Sequence, residues 1–540
     1  MKMTFRHFPL LLVLLGCLWQ CANPIAPTGG PRDETPPRID TLRSTPNLQT
    51  NFRPRTITLT FDEWIKLQDA NQQVIISPPL QGYTTKIKGK SVIVDLGTKD
   101  TLRNNVTYVI QFGTAVKDLT ESNPAEDLRF VFSTGPFIDS LELQGQVVDA
   151  YTEEPVKEAL VLLYENLADS VFRTERPFYF GRTNAQGLFL ISNVRAGTYK
   201  ITALVDADAN YRFNQVTEKI AFRAAPVVLR EDSIPAISLR LFQEQLPLQL
   251  AEVDSSEWRQ LKLAFNRAPG DELTLSTTET YLRAATLDTV YLWHQAPQPW
   301  TLFLASDTLF YDTLRVPAAP LAAATAALDS LRFAKTSGSP TLNYPSRPYP
   351  IRFNRPVSQL DTNRVTLRKD TFPELLPLTW TLDSTDHRLL LLNRPWTEKA
   401  NYFLTIAPGG IADYWGVPNV DTLRTSWNIS ERKRFGNIDF QFSSTDSTAS
   451  YALRLLVKGK PPVATFRLRG TTQYQAQFTG LLPGDYQLEI IEDRNDNGRW
   501  DTGSYATQRQ PERVVIRILE TLRANWDLDV AVDLDSLFQD

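Results

Sequence analysis

The amino-acid sequence predicts an all-β chain, built as a tandem array of about five sandwiches behind an export signal. Its 540 residues include 36 prolines and 11 tryptophans, and Thr, Val, Tyr and Phe are common, which favours strands and turns over long helices. Apolar and polar residues alternate in many short runs, and two blocks of this pattern recur later in the chain. A sandwich of about 100 residues is ordinary, so the length accommodates five.

The first 36 residues have the pattern of an exported and lipid-anchored protein. A basic start leads into an apolar run at residues 8–15, which is too short to span a bilayer as a helix. The chain's two cysteines, Cys17 and Cys21, follow it directly. We therefore predict a lipoprotein signal peptide at residues 1–20 and a Pro/Gly-rich tether at 21–36. The alternative is an ordinary cleaved signal with two unused thiols.

The sequence leaves open which cysteine carries the lipid. Glycine precedes Cys17, as the local rule for lipidation requires, whereas glutamine precedes Cys21. However, the segment that begins Cys21-Ala-Asn-Pro resembles the start of mature bacterial Ig-like lipoproteins. That resemblance implies an outer-membrane location, and the lack of an acidic cluster after either cysteine favours the periplasmic face over the cell surface.

Composition excludes one class of partner. Lysine plus arginine (57) nearly balance aspartate plus glutamate (61), so the sequence has no electrostatic footprint for nucleic acid. The body of the chain has no cysteine pair, and we expect packed cores to hold it together.

The first block, residues 37–135, shows the alternation of half-buried strands. Thr58-Leu-Thr-Phe-Asp-Glu, Asn105-Val-Thr-Tyr-Val-Ile-Gln-Phe and Phe130-Val-Phe-Ser-Thr carry period two. These segments resemble the S-layer-type (SbsA) Ig-like domain, which implies an antiparallel sandwich.

The second block, residues 136–245, has a different order of motifs. Leu143-Gln-Gly-Gln-Val-Val-Asp opens it, and two glycines, Gly187 and Gly197, precede aromatic strand residues. We predict both glycines in turns with positive φ. The order is similar to the carboxypeptidase-regulatory-like, or transthyretin-like, sandwich, and this resemblance implies a module without catalytic residues of its own.

The remaining blocks repeat the first two around a less certain one. Residues 246–316, the third block, alternate and predict a sandwich, although no module is recognisable. An Ala-rich linker with prolines spans 317–339. Residues 340–432, the fourth block, repeat the Ig-like pattern, and residues 433–540, the fifth block, repeat the transthyretin-like one.

Spacings between tyrosine and aspartate mark this duplication. In the Ig-like blocks, Asp118 lies ten residues after Tyr108 and Asp413 lies eleven after Tyr402. In the transthyretin-like blocks both distances are seven, in the pairs Tyr199–Asp206 and Tyr486–Asp493.

One loop has the ligand spacing of a calcium site. It carries oxygen-bearing side chains at loop positions one, three, five and nine: Asp493, Asn495, Asn497 and Asp501. Gly498 stands at position six, as in an EF-hand-type loop, but position twelve is Ser504 rather than glutamate. The alternative is a hairpin turn centred on Asn497-Gly498. The matching loop at residues 206–210 is followed by Tyr211 instead of glycine, which weakens the case for calcium there.

No motif predicts catalysis. Apart from the signal, the chain has two histidines, His294 and His387, and no nucleophile elbow, zinc motif or phosphate-binding loop accompanies them. Trp396 and Trp415 lie near predicted loops and are candidates for stacking on a glycan, although tryptophan more often fills a core.

The sequence therefore predicts a non-catalytic cell-envelope lipoprotein, which acts as a modular scaffold or binding protein. Its expected partners are the membrane, through the lipid anchor, and another envelope protein. Two alternatives stay open: a glycan-binding accessory lipoprotein, and a hydrolase with an unrecognised carboxylate site.

Overall fold

The computed structural model describes residues 33–208, 210–231, 236–306, 310–317, 330–334, 343–371 and 374–538. Cys17 and Cys21, the predicted lipidation sites, lie outside these residues. Within them nearly all regular structure is strand, so the predicted all-β fold class is confirmed. None of the helices in the described ranges is long and apolar enough to cross a membrane.

The chain divides into two compact units. The first contains residues up to Val147, Pro155–Asn214 and Ala221–Leu239, and the second contains Val148–Glu154, Gln215–Ile220 and residues from Arg240 onward. Three of the five boundaries fall inside strands of the second block. The units are described separately below.

In the first unit, the first block forms eight strands because apolar side chains at every second position share one interior. The strands are β1 (Thr56–Thr60), β2 (Ile65–Leu67), β3 (Ile75–Ser77), β4 (Thr84–Lys88), β5 (Ser91–Asp95), β6 (Thr107–Gln111), β7 (Val116–Asp118) and β8 (Arg129–Ser133). They pair in the orders β1-β5-β4, β3-β6-β8 and β2-β7. Four buried aromatic rings pack in the interior, among them Phe132, which stacks on Tyr108 with centroids 5.2 Å apart.

The second block also forms eight strands. They are β9 (Leu141–Asp149), β10 (Leu160–Tyr164), β11 (Tyr179–Arg182), β12 (Leu188–Val194), β13 (Gly197–Val205), β14 (Lys219–Phe222), β15 (Val227–Leu229) and β16 (Ile237–Gln243). In the first unit β10 pairs with β11 and β13, β12 pairs with β9, and β15 pairs with β13, all antiparallel. In the second unit Lys219 and Ile220 of β14 pair with β16.

The two glycines predicted in turns differ. Gly187 has φ +70°, and a Cβ there would lie 2.5 Å from the Val147 carbonyl oxygen, so the turn before β12 requires glycine. The prediction for Gly197 is wrong, because this residue begins β13 without a positive φ. Its missing side chain instead makes room for the ring of Tyr199, which a Cβ would approach within about 3.2 Å. Asn193, with φ +60°, carries the left-handed backbone nearby.

The third block, in the second unit, is a sandwich of two antiparallel sheets. Its strands are β17 (Leu250–Asp254), β18 (Gln260–Phe265), β19 (Leu273–Ser276), β20 (Tyr281–Thr286), β21 (Thr289–His294), β22 (Trp300–Ser306) and β23 (Phe310–Val316). The sheets have the orders β17-β18-β21-β20 and β19-β22-β23. Inward residues of both sheets, such as Leu263 and Leu302, are fully buried in one shared core.

The fourth block repeats the first strand for strand. It consists of β24 (Tyr349–Arg352), β25 (Val357–Leu360), β26 (Val365–Lys369), β27 (Trp380–Leu382), β28 (Leu389–Leu392), β29 (Asn401–Ile406), β30 (Ile411–Asp413) and β31 (Leu423–Asn428). The orders β24-β28-β27, β26-β29-β31 and β25-β30 match those of the first block. Two sequences with little identity thus adopt one topology.

The fifth block repeats most pairings of the second. Its strands are β32 (Gly436–Ser443), β33 (Ser450–Val457), β34 (Ala464–Arg469), β35 (Gln473–Leu481), β36 (Tyr486–Glu492), β37 (Val514–Ile518) and β38 (Asp527–Asp533). β33 lies between β34 and β36, β37 extends that sheet, and β32 pairs with β35. β38 joins β32 in parallel, whereas the other strand pairs described for this block are antiparallel.

Helices are short wherever they occur in the described residues. Each α-helix has four residues: Ala70–Gln73, Val171–Thr174 and Leu534–Leu537. Single 3-10 turns occupy Gly270–Glu272, Thr362–Arg364 and Arg432–Arg434. A four-residue helix has no propagation to offset its nucleation cost, so these turns depend on the sheets around them.

Candidate metal centre

The loop predicted to bind calcium connects β36 to β37 in the fifth block. Asp493 begins it, and its carboxylate, only 1% exposed, organises the turn. Oδ1 accepts a hydrogen bond from the backbone N–H of Asn497 at 3.0 Å, and Oδ2 accepts one from Gly498 at 2.7 Å. Gly498 has φ +75°, which glycine adopts without strain, so the sharp turn follows from the sequence as predicted.

The structure brings the four predicted ligand residues together. The side-chain amides of Asn495 and Asn497 both donate to Oδ2 of Asp501, at 2.5 and 2.9 Å. Their carbonyl oxygens accept backbone N–H bonds within the loop, Asn495 from Asn497 at 3.3 Å and Asn497 from Arg499 at 2.9 Å. Two carboxylates and two side-chain amides therefore belong to one hydrogen-bonded network, in which both amides point their NH₂ groups at Asp501. Carboxylate and amide oxygens are the ligands that a hard cation prefers, so an ion here would need the amides to turn. The same bonds also close a hairpin turn without an ion, so the geometry is compatible with both interpretations.

A third carboxylate, Glu512, joins this cluster and was not predicted. It is 5% exposed, and its two oxygens accept backbone N–H bonds from Arg494 at 2.8 Å and Asp501 at 2.9 Å. Burial raises the pKa of Glu512, and the nearby charges of Asp501 and Asp493 raise it further. The backbone N–H of Ser504, at loop position twelve, donates to the Arg509 carbonyl at 2.8 Å. Glu512 lies eleven residues after Asp501, and its only signal in the sequence is a glutamate two residues before the apolar strand β37.

Two arginine side chains approach the loop. Nη2 of Arg467 donates to the Asn497 carbonyl at 2.8 Å. The Arg499 guanidinium lies 3.8 Å from Oδ1 of Asp501, and Trp500 donates its indole N–H to the Glu512 carbonyl at 2.8 Å. A cation bound here would relieve the mutual repulsion of three carboxylates, because opposite charge favours their ionised forms.

The matching loop of the second block has the same turn without glycine. Oδ2 of Asp206 accepts the N–H of Tyr211 at 2.7 Å, and Oδ1 accepts that of Asn210 at 3.3 Å. Tyr211 takes the left-handed conformation with φ +63°. The aspartate at this position therefore anchors a turn in both blocks.

The tyrosines that mark the duplication have matching roles. In the Ig-like blocks the hydroxyls of Tyr108 and Tyr402 each accept a backbone N–H from the residue five positions earlier, at 2.9 Å. In the transthyretin-like blocks Tyr199 and Tyr486 each donate to the carbonyl four positions earlier, at 2.9 and 2.7 Å. These four residues hold loops in place.

The aspartates of the Ig-like blocks also anchor turns. Asp118 accepts three backbone N–H bonds, from residues 121 to 123. Asp413, fully buried, accepts those of Trp415 at 3.0 Å and Val417 at 2.9 Å and lies 3.4 Å from the Arg355 guanidinium. The tyrosine–aspartate spacing is thus a signature of the fold.

Trp396 was a candidate for stacking on a glycan, with core filling as the alternative, and its position fits the alternative. Its side chain is 5% exposed and packs edge-on against Tyr402 and Trp427, with centroids 4.8 and 5.5 Å apart. Its indole N–H donates to the Arg347 carbonyl at 2.9 Å. The ring is therefore part of the core of the fourth block.

Trp415 is half-buried and already has contacts. Its indole N–H donates to the carbonyl of His294 at 2.8 Å, and its ring packs edge-on against Trp258, with centroids 4.9 Å apart. His294 is 2% exposed, and burial together with the charge of Arg259 lowers its pKa from 6.5 to about 4. His387 lies half-buried in the turn between β27 and β28.

Comparison with known proteins identifies a family for one domain of the chain. Residues 33–134 match the family model described as bacterial Ig-like domain. No curated protein matches the chain.

Several solved structures are similar at low identity. The Bacillus anthracis TIE protein is 9% identical over 94% of this chain and 76% of its own, with a TM-score of 0.15. The S-layer protein rSbsC is 10% identical over 86% of this chain and 65% of its own, with a TM-score of 0.14. The major pilin subunit BcpA of Bacillus cereus is 8% identical over 73% of this chain and 99% of its own, with a TM-score of 0.13. Superpositions of this quality carry no argument about function. The family match alone shows that the chain contains, in its first block, a domain similar to bacterial Ig-like domains.

Proposed function

We propose that this protein is a non-catalytic lipoprotein of the cell envelope, in which an array of sandwich modules serves as a scaffold or binding surface for another envelope protein. The observation that carries the proposal is that the residues at duplicated positions have structural roles. The tyrosines and aspartates at duplicated positions hold turns together, and none of those in the described residues is arranged as a nucleophile with a base.

Buried charges support the same proposal. Glu489, 1% exposed, accepts the Tyr151 hydroxyl at 2.5 Å and lies 3.2 Å from the Arg454 guanidinium. Asp413 faces Arg355 in the same manner. Charges paired in this way are held inside one packed arrangement.

Anchorage rests on the sequence of the first 21 residues. Replacing Cys17 and Cys21 singly with serine tests it, with partitioning into detergent as the measurement. The lipidated cysteine's variant should move to the aqueous phase, because acyl chains contribute about 0.8 kcal/mol per buried CH₂. If neither variant leaves the detergent phase, the chain is not anchored by lipid. Fractionation of the membranes, with protease added to intact cells, separates the periplasmic face of the outer membrane from the cell surface.

Crosslinking in intact envelopes tests the scaffold role. We expect one or a few envelope proteins to be recovered reproducibly with the wild type and lost when the fourth and fifth blocks are deleted. Reproducible turnover of a substrate by the purified chain, abolished by changing one carboxylate, would establish a hydrolase instead.

We also propose that the Asp493–Asp501 loop binds calcium. Two carboxylates, two side-chain amides and the added carboxylate of Glu512 support this, because hard cations prefer oxygen ligands.

A further inference from the structure

The first unit contains a cleft of about 780 Å³. Its lining belongs to the first unit and comes from two blocks: residues 79–83, Asp100 and Arg103 of the first, and residues 174–176 and Arg212 of the second. This volume falls within the range of about 300–1,000 Å³ that small-molecule sites occupy.

Three arginines from three separate segments line this cleft: Arg103, Arg176 and Arg212. Within the described ranges, none of the three guanidinium groups has a hydrogen bond or an ion pair with a carboxylate. Arg103 lies over the ring of Phe178, with 5.0 Å from its Cζ to the ring centroid. Nε of Arg212 is buried and has no hydrogen-bond partner, which is uncommon for a buried donor in a folded protein.

The acidic groups of the cleft already have bonds of their own. Oδ2 of Asp100 accepts the backbone N–H of Gln81 at 2.6 Å, and Oε1 of Glu175 accepts the side-chain amide of Asn166 at 2.5 Å. The lining therefore has three positive charges against two negative ones, and its positive groups are the ones that still have donors available. Burial raises the pKa of Tyr83, and the positive charge of Arg176 partly offsets that rise.

We propose that this cleft binds a small ligand that carries an oxyanion, a carboxylate or a phosphate, on a polar body of about the size of a sugar. A guanidinium group presents its donors in a planar fork that matches either oxyanion with two parallel bonds. A bound oxyanion would accept hydrogen bonds from guanidinium groups of the three arginines that line the cleft. The polar lining around Gln81 and Tyr83 suits hydroxyl groups on the rest of the ligand.

Titration calorimetry on the soluble mature chain tests this proposal. The probes are inorganic phosphate, glucose 6-phosphate and glucuronate, at low ionic strength because salt screens such contacts. We expect saturable binding of at least one sugar derivative, tighter than that of inorganic phosphate. Preference between the phosphate and the carboxylate sugar identifies the oxyanion.

Arginine variants locate the site. Arg176→Gln and Arg212→Gln should each weaken binding about tenfold, since one charge-assisted hydrogen bond is worth about that factor. Arg129→Gln is the matched control, because Arg129 is an exposed arginine of β8 that does not line the cleft. Arg176 is exposed, so its variant decides the outcome even if Arg212→Gln fails to fold. No saturable binding of any probe, or binding that Arg176→Gln leaves unchanged, would overturn the proposal.

Discussion

Buried tyrosine hydroxyls fix the loops that enter the central strands of four blocks. Tyr402 is fully buried, and its hydroxyl is the acceptor for the Thr397 N–H at 2.9 Å. Nearby, the ring of Tyr349 stacks on Trp427 with centroids 3.9 Å apart, and its hydroxyl has no hydrogen bond among the described residues. The two tyrosines therefore share a core but differ in the bond that the hydroxyl makes.

Tyr402→Phe should lower the free energy of unfolding of the fourth block by about 1–2 kcal/mol, because the Thr397 N–H loses its acceptor in a partly buried position. Scanning calorimetry of the soluble chain measures this as a lower melting temperature of one transition. Tyr349→Phe is the matched control and should change that transition by less than half as much. Equal effects of both variants would contradict the role of the hydrogen bond.

His294 makes stability depend on pH. Its pKa is about 4 in the folded protein, lowered by burial and by the Arg259 charge from its ordinary value of 6.5. Between these values the unfolded chain binds a proton that the folded chain does not, so stability is complete above pH 6.5 and is lost as the pH falls toward 4. Each pKa unit corresponds to 1.36 kcal/mol, which gives a loss of up to about 3 kcal/mol.

Chemical denaturation at pH 7 and at pH 4.5 measures this effect. His294→Gln should remove most of the loss, since glutamine takes up no proton in this range. His387→Gln, at the half-buried turn histidine, is the control and should retain the wild-type difference. If His294→Gln shows the same fall as the wild type, the pH dependence comes from carboxylates instead.

The loop between β36 and β37 is the proposed calcium site, and added calcium tests it directly. If it binds calcium, the ion should raise the melting temperature of the fifth block, with a gain of about 1.4 kcal/mol at ten times the dissociation constant. Asp493→Asn should abolish that gain, because it removes a negative charge that would face the cation. The asparagine keeps a side-chain oxygen that can still accept a hydrogen bond from a backbone N–H of the turn.

Asp496→Asn is the matched control for this loop. Asp496 belongs to the same turn, but its carboxylate accepts the Ser450 hydroxyl at 2.8 Å and pairs with Arg469 at 2.9 Å. That variant should keep the calcium-dependent shift. A wild-type protein without any shift at millimolar calcium would leave the loop as a hairpin turn only.

For single elements, the sequence predicts the strand and its buried face but not the strand it pairs with. Alternation along β38 predicts a strand with one buried face, and its burial does alternate at every residue. Nothing within those seven residues specifies that β38 lies parallel to β32, because the partner is chosen by contacts some 90 residues away in sequence. Glu512 was missed for a related reason, since it contacts Arg494 and Asp501 across the turn, 18 and 11 residues away in sequence. The role of Trp396 stayed open because proximity to a loop does not determine which way a large ring points.

At the scale of the whole chain, the duplication was predictable because its markers are local. Tyrosine and aspartate lie seven to eleven residues apart. The tyrosine holds the loop before a strand, and the aspartate anchors a turn that follows it, as with Tyr486 and Asp493. The first and fourth blocks, which share such markers, also share one strand order. The third block lacks such markers, and only its alternation predicted a sandwich.

Limited proteolysis tests the modular arrangement. The first cuts should fall in residues 317–330, after the end of β23 at Val316, because this Ala-rich stretch with two prolines has no alternation to place it in a sheet. The end of the predicted linker belongs to the fourth block instead, since Leu331 is 1% exposed in its core and Phe333 forms a bridge with Phe353. Mass spectrometry of the early fragments should identify a piece that ends near residue 316 and another that begins before residue 331. Strand segments with a buried face, such as β22, should resist cleavage, because a protease needs an extended and exposed backbone. Early cleavage within β17–β23, before any cut at 317–330, would mean that the third block is not an independently packed sandwich.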